Sequence, residues 1–181
     1  MLGVKPISTA VGVSFWAGLL SSAAADEFTD SLASMRRAMA GHWTGRLSGT
    51  DSGGEQFDVD DEFTFVITSE DGLDSATWSA DTLELATYEG DGRYRIRNWT
   101  RSGRQGGLEY RLRIVEGPDA AGNGAWVLEL EQSADDGSDV EMREHFRLDG
   151  NMLGMEIEMR PAGSDDPFET VITGAWSRAA N

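Results

Sequence analysis

The stretch Glu109-Tyr110-Arg111-Leu112-Arg113-Ile114 alternates charged and apolar side chains without interruption. Successive side chains of an extended strand point to opposite faces of a sheet, so this alternation predicts a strand with one oily and one wet face. The pattern recurs downstream. Trp126, Leu128 and Leu130 alternate with Glu129 and Glu131, and Leu153, Met155, Ile157 and Met159 alternate with Glu156, Glu158 and Arg160. Arg93, Arg95 and Arg97 have the same two-residue spacing beside glutamate-bearing strands, and so read as rungs of cross-strand ion ladders on the wet face, each pair adding ~0.2 to 1 kcal/mol.

Outward from that stretch, Asp-Gly pairs at Asp71-Gly72, Asp91-Gly92, Asp136-Gly137 and Asp149-Gly150 supply the positive φ of tight hairpin turns. Longer breaks lie at 49–55, 102–107, 117–124 and 161–167. The extended segments between them run over 42–48, 57–68, 76–88, 93–101, 108–116, 125–132, 140–148, 152–160 and 168–178, nine in all and ten if the third divides near Asp81. Upstream, Phe28, Leu32, Met35 and Met39 have helical spacing, with Asp26 as the expected N-cap and Gly41 as the stop, which predicts one short helix over 26–40. A sheet of nine strands with one wet face must hide the other, and one short helix cannot cover it. Closing the sheet on itself hides the oily face and removes the edges. The expected fold is therefore all-β, a closed antiparallel meander barrel of 9–10 strands with one short N-terminal helix.

Residues 1–25 differ in composition from the rest. One cation, Lys5, precedes the apolar run Val11 to Leu20, and Ala23-Ala24-Ala25 stands before Asp26. This is the pattern of a signal peptide with an A-x-A cleavage site, leaving a mature domain over 26–181 without a stable membrane anchor. The mature chain would hold no lysine, hence no Schiff-base chemistry. The absence of cysteine removes disulfides, thiolate metal sites, cysteine nucleophiles and a lipid-bearing cysteine. Export without disulfides points to a periplasmic or secreted bacterial protein. The formal charge of -17 repels polyanions, so nucleic acid is not an expected partner.

No local motif carries catalysis. P-loop, G-x-G-x-x-G and G-x-S-x-G spacings are absent, and the acidic clusters 58–62 and 135–139 lack calcium-loop spacing. His145 is in phase with Arg143 and Arg147 and so faces out, and with His42 as the only other histidine no metal or cofactor is expected. The informative residues are polar ones in phase with the apolar face. Asp61 shares its parity with Phe63 and Phe65, Glu144 with Met142 and Phe146, and Asn98 with Tyr94 and Ile96, while Tyr110 faces them from the next strand. A buried carboxylate must be paired, hydrated, protonated or liganded, so Asp61, Tyr94, Asn98, Tyr110 and Glu144 are the expected polar contacts of an interior that binds a small, mostly apolar molecule. Two other roles remain open: a small-substrate enzyme using Glu144 or Asp61 as general acid or base, and a structural or protein-binding envelope module with a filled core. Inward Phe63, Phe65, Trp126 and Met155 argue for filling, and Gly45, Gly154 and Gly174 for space. Ligand identity and oligomeric state are not written in these patterns.

Gly41-His42-Trp43-Thr44-Gly45 opens the first strand after a short helix, and Trp176-Ser177-Arg178 closes the last. In these motifs and in layout the chain resembles the calycins, the group of lipocalins and fatty-acid-binding proteins that includes small bacterial lipocalin-like proteins. The resemblance implies that Trp43 packs at the closed end of the barrel under Arg178. Nitrobindin-like haem barrels also open with G-x-W-x-G but carry their haem histidine on the final strand, and residues 168–178 contain none.

Overall fold

The computed structural model describes residues 14–51, 53–100, 103–133 and 140–179. One helix, α1 (Ser14–Met39), precedes ten strands: β1 (Gly41–Thr50), β2 (Gln56–Ile67), β3 (Ser75–Ser79), β4 (Thr82–Gly90), β5 (Arg93–Thr100), β6 (Gly103–Glu116), β7 (Gly124–Ser133), β8 (Val140–Asp149), β9 (Met152–Pro161) and β10 (Glu169–Arg178). Each strand pairs antiparallel with its neighbours in sequence, and β1 pairs with β10 from Trp43↔Arg178 to Gly49↔Ile172, closing the barrel. The segment expected over 76–88 divides at Asp81, which makes the strand count ten.

Asp91-Gly92 turns the chain between β4 and β5 with φ of 51° and 75°, the two positive values that a two-residue hairpin of this type needs. The Asp136-Gly137 turn lies outside the described residues. The wet face carries the ladders: Arg95 binds Glu89 and Glu109, Arg111 binds Glu131, Arg143 binds Glu129, and His145 faces outward to Glu158 at 2.9 Å.

Three expectations are corrected. Asp26 is not an N-cap: α1 begins at Ser14 and runs through Ala23-Ala24-Ala25, good helix formers that carry the turn past it. The break expected at 102–107 is mostly strand, because β6 begins at Gly103 opposite Thr100. Gly45 and Gly174 leave no interior space. A Cβ on Gly174 would fall 2.0 Å from the Trp176 ring, and one on Gly45 would fall 2.1 Å from the Ala175 carbonyl, so a neighbour occupies each gap. Gly154 pairs with outward Arg147 and belongs to the wet face.

Hairpin turns alternate between the two barrel ends, and α1 packs on the end that carries the turns near Gly72, Gly92 and Gly122. Arg37 Nη2 donates to the Asp71 carbonyl at 2.8 Å. Gly122 is tight enough against α1 that a Cβ would sit 2.5 Å from the Ala38 Cβ. At the helix exit, Trp43 is fully buried and donates from Nε1 to the Met39 carbonyl at 2.9 Å. The Arg178 guanidinium lies 4.5 Å from the Trp43 ring centroid and donates to the Ala38 and Ala40 carbonyls. It thereby satisfies two carbonyls that the end of a helix leaves without intrahelical partners.

Candidate functional site

The apolar stripe of α1 turns Leu32, Met35 and Met39 toward the barrel interior, and with them comes Arg36. Beneath that plug the inward positions of the strands enclose a cavity of about 310 Å³. Its apolar wall includes Phe63, Phe65, Trp126, Leu128, Phe146 and Met155, with Trp126 and Phe146 stacked at 5.4 Å. Bulky inward residues thus line a space rather than fill it.

Polar groups gather on one side. Arg36 donates to Ser75 Oγ and lies 4.6 Å from the Tyr94 ring centroid and 5.6 Å from that of Phe65. Burial lowers its pKa, and Tyr94, Asp74 and Glu84 work against that fall. Its Nε is buried with no hydrogen-bond partner. Glu84, from β4, also lines the cavity, and no hydrogen bond from the described residues reaches its carboxyl. Burial pushes Glu84 up to about 7, nearby Glu144 adds to the rise, and Arg36 opposes it.

Of the five residues read from the sequence, Asp61, Tyr94 and Glu144 line the cavity directly. Glu144 Oε1 accepts a hydrogen bond from Tyr110 OH at 2.7 Å. Burial raises the Glu144 pKa, and the Tyr110 bond limits the rise. Tyr110 is 2% exposed and stands behind Glu144; burial first and the Glu144 charge second push its own phenol up. Tyr94 donates to the Leu73 carbonyl at 2.9 Å, and burial raises its phenol pKa as well. Asp61 accepts from Trp176 Nε1 at 2.8 Å. Asn98 is directly opposite Glu84 in the β4–β5 register, and its Oδ1 is buried without a donor.

Sequence reasoning missed Arg36 and Glu84. Arg36 follows Met35 on a helix whose apolar stripe alone was informative. Glu84 is flanked by Leu83 and Leu85, which suggest the opposite phase. The signal that finds it is Tyr88 on the same strand, which pairs with inward Tyr94 and fixes the parity of Glu84 and Ala86. Among the described residues no group of three or more histidine, cysteine, aspartate or glutamate side chains is arranged to hold a metal ion.

Fold and site together define a closed ten-stranded antiparallel barrel, plugged by one helix, with a mostly apolar internal cavity and a polar cluster at one side. In structure the chain is similar to Rv2717c from M. tuberculosis, with a TM-score of 0.52 and 16% sequence identity, over 79% of this chain and 94% of that one. At this identity the likeness is one of fold. No family model matches the chain, and no curated protein matches it in sequence.

Proposed function

We propose that this protein is an exported, calycin-like barrel that binds one small, mostly apolar molecule in its interior. The observation that carries the reading is the cavity of about 310 Å³ with apolar walls and a few clustered polar groups. Ligand pockets commonly start near ~300 Å³ and are built in this way. The polar contacts are Asp61, Tyr94, Asn98 and Glu144, with Tyr110 orienting Glu144. Export rests on the composition of residues 1–25; Ala24 to Glu27, on either side of the expected cleavage point, are exposed. Among the described residues no helix is long and apolar enough to cross a membrane.

Native mass spectrometry of protein extracted from its own cells is the test. The expected spectrum shows a mature chain beginning at Asp26 together with a co-purified small molecule. An apo mass, with no uptake from a panel of lipophilic compounds, overturns the binding reading. A chain that keeps residues 1–25 overturns export.

One observation favours a second reading, a small-substrate enzyme: Glu84 titrates near 7, where a general acid or base works best. That reading requires turnover whose pH profile follows Glu84 and that is lost in Glu84→Gln.

A further inference from the structure

The hydrogen-bonding capacity of the polar cluster is unbalanced. Among the described residues, its acceptors are Glu84, which receives no hydrogen bond; Glu144, which receives one, from Tyr110; and, beside Glu84 in the β4–β5 register, Asn98 Oδ1, buried with no donor. Against these, Arg36 Nε is a donor buried without a partner among the described residues. Formal charge leans the same way. The cavity is lined by one guanidinium and three carboxyl groups, those of Asp61, Glu84 and Glu144, and Asp74 also faces the guanidinium. Arg36 therefore cannot neutralise the site. Buried acceptors and charges without partners are costly, and the group that relieves them must donate several hydrogen bonds and carry positive charge.

We propose that the cavity selects an amphiphilic amine, its ammonium group seated between Glu84 and Glu144 and its apolar body against Phe65, Trp126 and Phe146. An ammonium offers three donors and no acceptor, which suits two carboxyl groups that receive a single hydrogen bond between them from the described residues. A carboxylate ligand has the opposite demand: it could use Arg36 Nε but would face Glu84 and Glu144. A neutral alcohol leaves the charge unanswered. The protein's charge of -17 draws cations to its surface, which favours the same class of ligand at the encounter step. The shared proton economy of the two glutamates fits as well, since Glu84 is half protonated near pH 7 and an arriving ammonium takes the place of that proton.

The inference rests on the binding reading, and three probes of one chain length separate the two. Octylamine, 1-octanol and octanoate are titrated into the full chain at pH 8, with tryptophan fluorescence reporting on Trp126 and Trp176 in the cavity wall. Octylamine is expected to bind about tenfold or more tightly than 1-octanol, the gain of a charge-assisted hydrogen bond. Octanoate should be the weakest of the three. In Glu84→Gln and in Glu144→Gln the preference for octylamine over 1-octanol should shrink toward unity, and continued uptake of 1-octanol shows that each variant keeps its cavity. Uptake of 1-octanol with no preference for octylamine, or a preference that survives both substitutions, overturns the amine and leaves the pocket standing. Octanoate binding most tightly reassigns the head-group site to Arg36. Exclusion of all three probes removes the binding reading and the amine together.

Discussion

Glu84 and Arg178 show how a single side chain is set by what surrounds it. The Glu84 carboxyl has an unfolded pKa near 4.5 and a folded value of about 7, so between those values the native state holds more protons than the unfolded chain. Stability from this group is full below the lower value and is lost as pH rises toward the upper one. Integrated over the interval, the loss is on the order of 3 kcal/mol. Glu84→Gln removes the titration, so urea melts at pH 5 and pH 7.5 should show the variant gaining on the wild type at the higher pH. Equal differences at both pH values would mean that Glu84 is solvated in the folded state. Arg178 acts through geometry rather than titration. Arg178→Met strips donors from the Ala38 and Ala40 carbonyls and the cation from the Trp43 ring, which predicts a loss of about 2 kcal/mol in urea denaturation.

At the scale of elements, strands that alternate cleanly are legible from sequence, and strands that do not leave their phase open. β6, β7 and β9 carry charged residues on one parity and apolar residues on the other, so their inward sets follow from counting by two. β3 and β4 break the rule. Ser75, Thr77, Ser79 and Glu84 point inward, while Trp78 and Leu83 pair on the outer face, with Trp78 44% exposed. No periodicity argument recovers a strand whose oily residues face water; only its register with a neighbour does. Asp61 and Glu144 were legible because both lie in otherwise regular strands. Arg36 was not, because a helix residue beside the apolar stripe faces either the core or the rim according to a docking angle set by distant contacts. One of these contacts is testable. Gly122 has φ +83° and faces the Ala38 Cβ and the Ser34 carbonyl, so Gly122→Val both strains the turn and pushes on α1. A left-handed conformation costs an L-residue ~1–2 kcal/mol before any clash, so the variant should lose at least that much and expose the cavity, read as increased binding of a hydrophobic dye. Unchanged stability would show that the turn and the helix are not packed together.

For the whole molecule, the question is whether charge holds the barrel or strains it. The outer ladders join opposite charges at contact distance, such as Arg147 to Glu116 at 2.9 Å and Arg160 to Glu141 on neighbouring strands. Exposed pairs of this kind contribute little each, ~0–1 kcal/mol. The chain nevertheless carries a formal charge of -17, and that excess repels itself over distances longer than any ladder rung. Salt discriminates between the two effects because screening removes long-range terms first. The Debye length falls from ~30 Å at 0.01 M to ~8 Å at 0.15 M, which spans the width of a barrel at one end and a single rung at the other. Raising sodium chloride across that range should therefore raise the melting temperature, by roughly 2–4 °C for each kcal/mol of repulsion relieved in a domain of this size. A melting temperature that falls with salt would reverse the conclusion, making the ladders rather than the closed hydrogen-bonded sheet the main support of the outer wall. The closure of β1 on β10 predicts the first outcome, since its backbone bonds and the burial of Trp43 and Trp176 are indifferent to ionic strength.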